Sequence, residues 1–266
     1  MAVNPNLHGY LLSVIRKHSL RGDLLTYGRQ NIFAPEGMIE CLAQQLDMAL
    51  VDVPPHTRHA LELAHPLRPT QYPKPRPCPE INDQIYFRQL GFNTVTSLDG
   101  DDFEGCTRVW DMNAPGAPPD LRAAFDLTLE IGTMEHVFHV PNFMLNDFQM
   151  LRVGGLTWRI IPMNNWGNHG FYQVQPALLN DYYTANGWEI VERHVLKTTG
   201  GHWGADDNDL EVIVCDPRTY CYNFGQPAGD TYYLAAILAR KLADSRGDVI
   251  PQQGLYAKQW SPPPQA

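Results

Sequence analysis

Two stretches concentrate the residues that can move protons or hold polar ligands. FDLTLEI runs into Gly132-Thr-Met and then Glu135-His136, and LTWRIIP runs into Asn164, Asn165, Asn168, His169, Phe171 and Tyr172. Histidine titrates near neutrality, so His136 and His169 suit a base; each equally suits a structural place, bonded to a loop carbonyl. Amides cost free energy when buried unpaired, so the asparagines mark either a lined polar pocket or a tightly bonded loop. Three further positions follow apolar runs. Gly28 ends DLLTYG, where glycine lets the backbone approach a ligand. Asp99 ends NTVTSLD, where two acceptor oxygens can meet the paired hydroxyls of a ribose or cap a helix. Asp111-Met112-Asn113 follows Val109-Trp110; an acid beside an apolar residue can hold an exocyclic amine and cover a purine face, or simply form a turn. Glu135, His136, His139 and His169 could be drawn as metal ligands. His139-Val-Pro141 marks a bend, however, and neither HExxH nor facial-triad spacing occurs, so the expectation is no metal.

These residues need strands and helices to position them. Apolar spacing predicts helices over 7–20, 36–50, 82–90 and 142–151, one opening at Gln175-Pro176 and running to Asn186-Gly187, and a terminal helix over Tyr232–Ala243. Strands are expected over 23–28, 93–98, 109–110, 125–131 and 156–162. Residues 188–196 and 210–215 are expected to form an antiparallel hairpin. Between the second helix and the third, Pro54 to Pro79 holds eight prolines in 26 residues, with His56, His59 and His65. Proline lacks an N–H and restricts its predecessor, so this segment is extended or turning. It reads as a surface loop or as a lid over a pocket. Strands alternating with helices argue for an α/β sheet with helices on both faces, and ligands bind such sheets at the carboxyl ends of the strands.

Composition narrows the function. The chain has 266 residues, enough for one large domain, and the expectation is a single domain over 1–266 with an insertion over 51–81. Lys+Arg 20 against Asp+Glu 29 leaves a net charge of −9, which argues against a binder of nucleic-acid phosphates. The apolar runs are far too short to span a bilayer, and no secretory leader is read at the N-terminus. Five scattered cysteines without a CxxC pair fit reduced thiols in a cytoplasmic protein.

The order LLTYGRQ, GFNTVTSLDGDDFEG, WDMN, FDLTLEIGTMEHVF, FQMLRVGGLTWRIIPMNN and NHGFYQVQP resembles the class I S-adenosylmethionine-dependent methyltransferases over about residues 20–215. It is closest to a bacterial small-molecule branch with EHVF and NHGFYQ motifs. The resemblance implies a Rossmann-like seven-stranded, mostly parallel sheet whose last strand is antiparallel, with the N-terminal helix and Pro-rich insertion as a lid. It implies S-adenosyl-L-methionine as cofactor and a small-molecule acceptor, in secondary or cell-surface biosynthesis. Carried over by motif, Gly28 would approach the methionine part, Asp99 the ribose, and Asp111 and Met112 the adenine. Glu130 and Gly132 would lie beside the cofactor, with Glu135 and His136 at the mouth. Asn164, His169 and Tyr172 would face the acceptor. The chain departs from the family in having one glycine, Gly28, flanked by Tyr27 and Arg29, where a glycine-rich loop is usual. It also has Thr128-Leu129-Glu130 in place of the usual aspartate-bearing fourth strand. Two other readings share the cofactor: a cyclase or lyase that releases methylthioadenosine, and a binding protein without catalysis.

Overall fold

The computed structural model describes residues 2–33, 80–199, 209–216 and 229–260. The helix expected over 36–50 and nearly all of the 51–81 insertion lie outside them. The chain begins with β1 (Ala2–Val3) and α1 (Pro5–His18). Asn4 caps α1, its side chain accepting the Leu7 N–H at 2.8 Å, and Ser19 ends it in the left-handed conformation. There follow β2 (Gly22–Tyr27), β3 (Asn31–Phe33), β4 (Glu80–Ile81), α2 (Asp83–Gln89), β5 (Phe92–Asp99), β6 (Arg108–Val109), β7 (Phe125–Ile131), α3 (Val140–Met150) and β8 (Leu151–Asn164). The described chain closes with α4 (Pro176–Ala185), β9 (Glu189–Thr199), β10 (Asp209–Val214), β11 (Tyr232–Arg240) and α5 (Gly254–Trp260). None of the described helices is long and apolar enough to cross a membrane.

The main sheet has eight strands in the order β10-β9-β11-β8-β7-β2-β5-β6, and a small second sheet joins β1, β3 and β4. From β6 to β8 all neighbours are parallel, whereas β11 runs antiparallel to both β8 and β9. This corrects the sequence reading in two respects. Tyr232–Ala243 is not a terminal helix: its first nine residues are β11, a strand that runs antiparallel to both its neighbours. The expected hairpin over 188–196 and 210–215 exists as β9 and β10, but β10 is an added edge strand, making eight strands rather than seven. YYLAAILAR is apolar on both faces because β11 is buried on both, and a short run of that kind has no period to tell strand from helix.

Side-chain alternation divides the interior into two cores. Leu24, Leu127, Leu129, Trp158, Ile160, Leu234 and Ala236 face the layer of α1 and α2. Leu25, Tyr27, Ile161, Met163, Tyr233 and Ala235 face Phe143 and Met144 of α3 and Leu179 and Tyr183 of α4. Helices therefore cover both faces. The chain lays β5 and β6 on one side of β2, then returns to lay β7 and β8 on the other. The order reverses between β2 and β7, and the crevice beyond their carboxyl ends is where this architecture places ligands.

Candidate functional site at the strand switch point

Gly28 and the Gly132-Thr133 pair stand at that switch point. Gly28 has φ +71°, a conformation that side chains rarely adopt, and its N–H donates to the Leu98 carbonyl at 2.7 Å. A Cβ built on Gly28 would lie 3.6 Å from Asp99 Oδ2 and 3.5 Å from Thr133 Oγ1. The bare backbone, a carboxylate and a hydroxyl thus converge from three strand ends. The Thr133 hydroxyl also donates to the Tyr27 carbonyl at 2.9 Å, tying the loop after β7 to the end of β2. Thr133 escaped the sequence reading because a threonine after glycine has no distinctive spacing.

The residues flanking Gly28 replace the missing glycines with anchors. Tyr27 turns into the interior, its hydroxyl donating to Asp147 Oδ1 at 2.6 Å. Arg29 turns the other way. Its guanidinium pairs with buried Asp83 at 2.6 Å and donates to the Gly105 carbonyl at 2.8 Å, linking the loop after β2 to the loop after β5. Asp83 Oδ2 also accepts the Gln30 N–H at 2.8 Å. The loop after β2 is therefore held by a buried ion pair.

The other expected cofactor residues divide. Trp110 donates its backbone N–H to the Asp99 carbonyl at 2.8 Å, so Asp111 follows at the end of the strand paired with β5. Asp111 is exposed, and its Oδ1 accepts the backbone and side-chain N–H groups of Asn113, both at 2.8 Å, which holds its pKa below the ordinary value. Met112 is buried in the α3–α4 core. Glu130, expected beside the cofactor, lies instead under the crevice floor with no exposed surface. One of its oxygens accepts the N–H groups of Thr133 and Met134, at 2.5 and 3.1 Å, and so braces the 3-10 turn Met134–His136. Burial, and then the negative charge of Glu135, push its pKa up to about 7, against the pull of Arg159.

The turn carries Glu135 and His136 toward the loop after β8. The Glu135 carbonyl accepts the N–H groups of Phe171 and Tyr172, at 2.8 and 3.2 Å. Gly170 permits this: a Cβ there would stand 2.8 Å from that same carbonyl oxygen. His169 Nε2 lies 3.5 Å and His136 Nε2 3.7 Å from Glu135 Oε1. The two imidazoles are in edge contact, centroids 5.0 Å apart, and Trp166 backs His169 at the same distance. Burial lowers the pKa of His136. Tyr172 donates its hydroxyl to the Phe138 carbonyl at 2.9 Å, and the exposed rings of Phe138 and Phe171 meet edge to face beside it.

The asparagines are loop formers. Asn165 and Asn168 occupy left-handed conformations, φ +64° and +60°, which asparagine tolerates better than most residues. Asn165 also donates its side-chain amide to the Thr231 carbonyl at 2.7 Å, and Asn164 accepts the N–H of Asn165 at 2.8 Å. Of the expected acceptor-side residues, His136, His169 and Tyr172 gather around Glu135, while Asn164 is exposed at the end of β8.

No family model and no curated protein matches the sequence. Among solved structures, TehB from Haemophilus influenzae is similar at 19% identity and TM-score 0.38, covering 59% of this chain; the chain spans 52% of the length of TehB. A SAM-dependent methyltransferase from Thermotoga maritima, a possible histamine N-methyltransferase, is similar at 14% identity and TM-score 0.36, covering 88% of this chain and 89% of its own. YcgJ from Bacillus subtilis is similar at 12% identity and TM-score 0.43, covering 88% and 99%.

Proposed function

We propose that the chain is an S-adenosylmethionine-dependent methyltransferase that acts on a small organic acceptor in a cytoplasmic biosynthetic pathway. The observation that carries this reading is the convergence of Gly28, Asp99 and Thr133 at the switch point. The motif order of the sequence supports it. The cradle fits the cofactor: backbone without a Cβ for close approach, and a carboxylate to accept from ribose hydroxyls.

S-Adenosylmethionine supplies a methyl group on a sulfonium, which leaves as a neutral thioether. The chain's own work is then mostly positioning. Gly28 and Thr133 hold one end of the cradle, Asp99 the ribose, and the Asp111–Met112 turn lies where an adenine would follow. On the other side of Thr133, Phe138 and Phe171 offer exposed aromatic faces for an apolar acceptor. His169, partly open to solvent, stands as the base for an acceptor that carries a proton. The net charge of −9 favours a small molecule over nucleic acid.

Calorimetry with S-adenosylmethionine tests the reading. Asp99→Ala is expected to weaken binding by about 1.5–3 kcal/mol, the range for hydrogen bonds to a charged group. A change of less than about twofold in a folded variant would misplace the cofactor site. S-Adenosylhomocysteine is the expected product; methylthioadenosine would transfer the assignment to a cyclase or lyase, and absence of binding to a scaffold.

A further inference from the structure

We propose that Glu135, His136 and His169 bind a divalent transition-metal ion of the zinc class. The bend at His139-Val-Pro141 and the lack of HExxH or facial-triad spacing argue against a metal in sequence, but the fold brings His136 and His169, 33 positions apart, together by stitching Phe171 and Tyr172 to the Glu135 carbonyl. One ligand atom from each of the three side chains lies within 4.8 Å of the others. The carboxylate-to-imidazole separations are 3.5 and 3.7 Å. Zinc–ligand bonds of 2.0–2.1 Å in a tetrahedral site put neighbouring ligand atoms about 3.3–3.4 Å apart. Small rotations of two half-exposed rings would bridge the difference.

The second observation is the state of the carboxylate. Glu135 has no exposed surface, and neither of its oxygens has a hydrogen-bond partner. The two imidazoles that face it stand beyond hydrogen-bonding distance. Glu130, near the end of β7 and bonded to the start of that turn, is also buried and has one oxygen without a partner. A buried carboxylate is normally satisfied by donors or by a metal. A cation between Glu135 and the two rings supplies what the protein groups leave out.

The ligand set is two imidazoles and one carboxylate, the mixed nitrogen and oxygen donors that suit zinc, cobalt or iron better than magnesium. Its remaining positions face the solvent side, where His136 and His169 are open, and would take water or an oxygen or sulfur atom of the acceptor. Metal binding stands on these residues alone and takes up His169 Nε2, so His169 serves as base only in the metal-free protein and as ligand in the loaded one; a metal-held acceptor rests on the methyl-transfer reading.

The test uses the full chain, stripped with chelator and titrated with cobalt(II) chloride. One equivalent of cobalt with a visible absorption band is expected, displaced by zinc chloride and not by magnesium chloride. His136→Ala and His169→Ala should each weaken binding at least tenfold without lowering the melting temperature of the metal-free protein. Glu135→Gln should do the same if it folds; the two histidine variants decide the matter if it does not. Absence of stoichiometric cobalt binding, or binding unchanged in the His136→Ala/His169→Ala double variant, overturns the site. Asp99→Ala should keep its cobalt while losing S-adenosylmethionine affinity; a wild-type chain that takes up cobalt but binds no S-adenosylmethionine would sink the methyltransferase reading and leave the metal.

Discussion

His169 and Tyr172 are the residues whose chemistry separates catalysis from architecture. His169 is packed against Trp166 and His136, whereas Tyr172 binds a carbonyl through its hydroxyl. Both sit on the loop that meets Glu135, whereas the groups that converge on Gly28 are Asp99 and Thr133. His169→Ala and Tyr172→Phe should therefore lower turnover while leaving S-adenosylmethionine affinity within about twofold. A residue acting as base should cost on the order of 10²–10⁴-fold in turnover. One that only positions the acceptor should cost less, with part of the loss in KM. Melting, cofactor affinity and product formation on the same preparations distinguish these from a purely structural role, and unchanged turnover in a folded double variant would remove this loop from the site. Placement was legible for Gly28 and Asp99, which close apolar runs and which the fold brings together at the switch point. It was not legible for Glu130, because an acid bracing a turn from below and an acid facing a ligand look the same in one dimension. Thr133 and Arg29 were missed for a related reason: their importance comes from partners that only the fold supplies, the Tyr27 carbonyl for one and Asp83 for the other.

Elements decide whether those residues meet. The turn after β7 and the loop after β8 are joined by backbone hydrogen bonds at Glu135, and Gly170 is the point of closest approach. Gly170→Ala would put a methyl group 2.8 Å from the Glu135 carbonyl oxygen and 2.9 Å from its Cγ. The loop must then move off the turn. Lower turnover is expected, with a loss of stability of about 1–3 kcal/mol, the range for overpacking. Chemical denaturation and activity at saturating acceptor measure the two effects; wild-type values for both would mean that the loops need not touch. The parallel half of the sheet was readable because β2, β5 and β7 are apolar runs that stop at Gly28, Asp99 and Gly132. The antiparallel half was not. β11 pairs with strands on both sides, so its register is set by β8 and β9 rather than by any turn of its own. Only the β9–β10 hairpin signal was local enough to read.

At the scale of the molecule, a polar seam runs through the α3–α4 core directly beneath the site. Arg159 has no exposed surface; it pairs with Asp147 at 2.7 Å and donates to the Tyr183 hydroxyl at 2.6 Å, while Asp147 also accepts from Tyr27. The seam ties β2, β8, α3 and α4 together one residue before Gly28. Asp147→Asn would leave the Arg159 charge buried without its counter-ion. A loss of about 3–5 kcal/mol is expected, a large part of the stability of a single domain. Urea unfolding measures it, and a loss below about 1 kcal/mol would show that the seam is not a buried ion pair in solution.

The opposite layer carries a pH dependence of its own. His8 of α1 is buried, and the hydroxyl of Tyr86 on α2 donates to its Nδ1 at 2.5 Å, so the pair joins the two helices of that layer. Burial lowers the His8 pKa from 6.5 to about 4. The folded protein thus keeps His8 neutral in a range where the unfolded chain takes up a proton. Because the unfolded state binds more protons there, stability falls as the pH drops from about 6.5 to about 4 and levels off below, a loss of about 3 kcal/mol from this group. Replacing both partners, His8→Leu with Tyr86→Phe, removes the proton uptake without leaving an unpaired hydroxyl in the core. Urea unfolding at several pH values should then show a flatter acid limb for the double variant than for the wild type. Parallel limbs would mean that His8 takes up its proton in the folded protein as readily as in the unfolded chain.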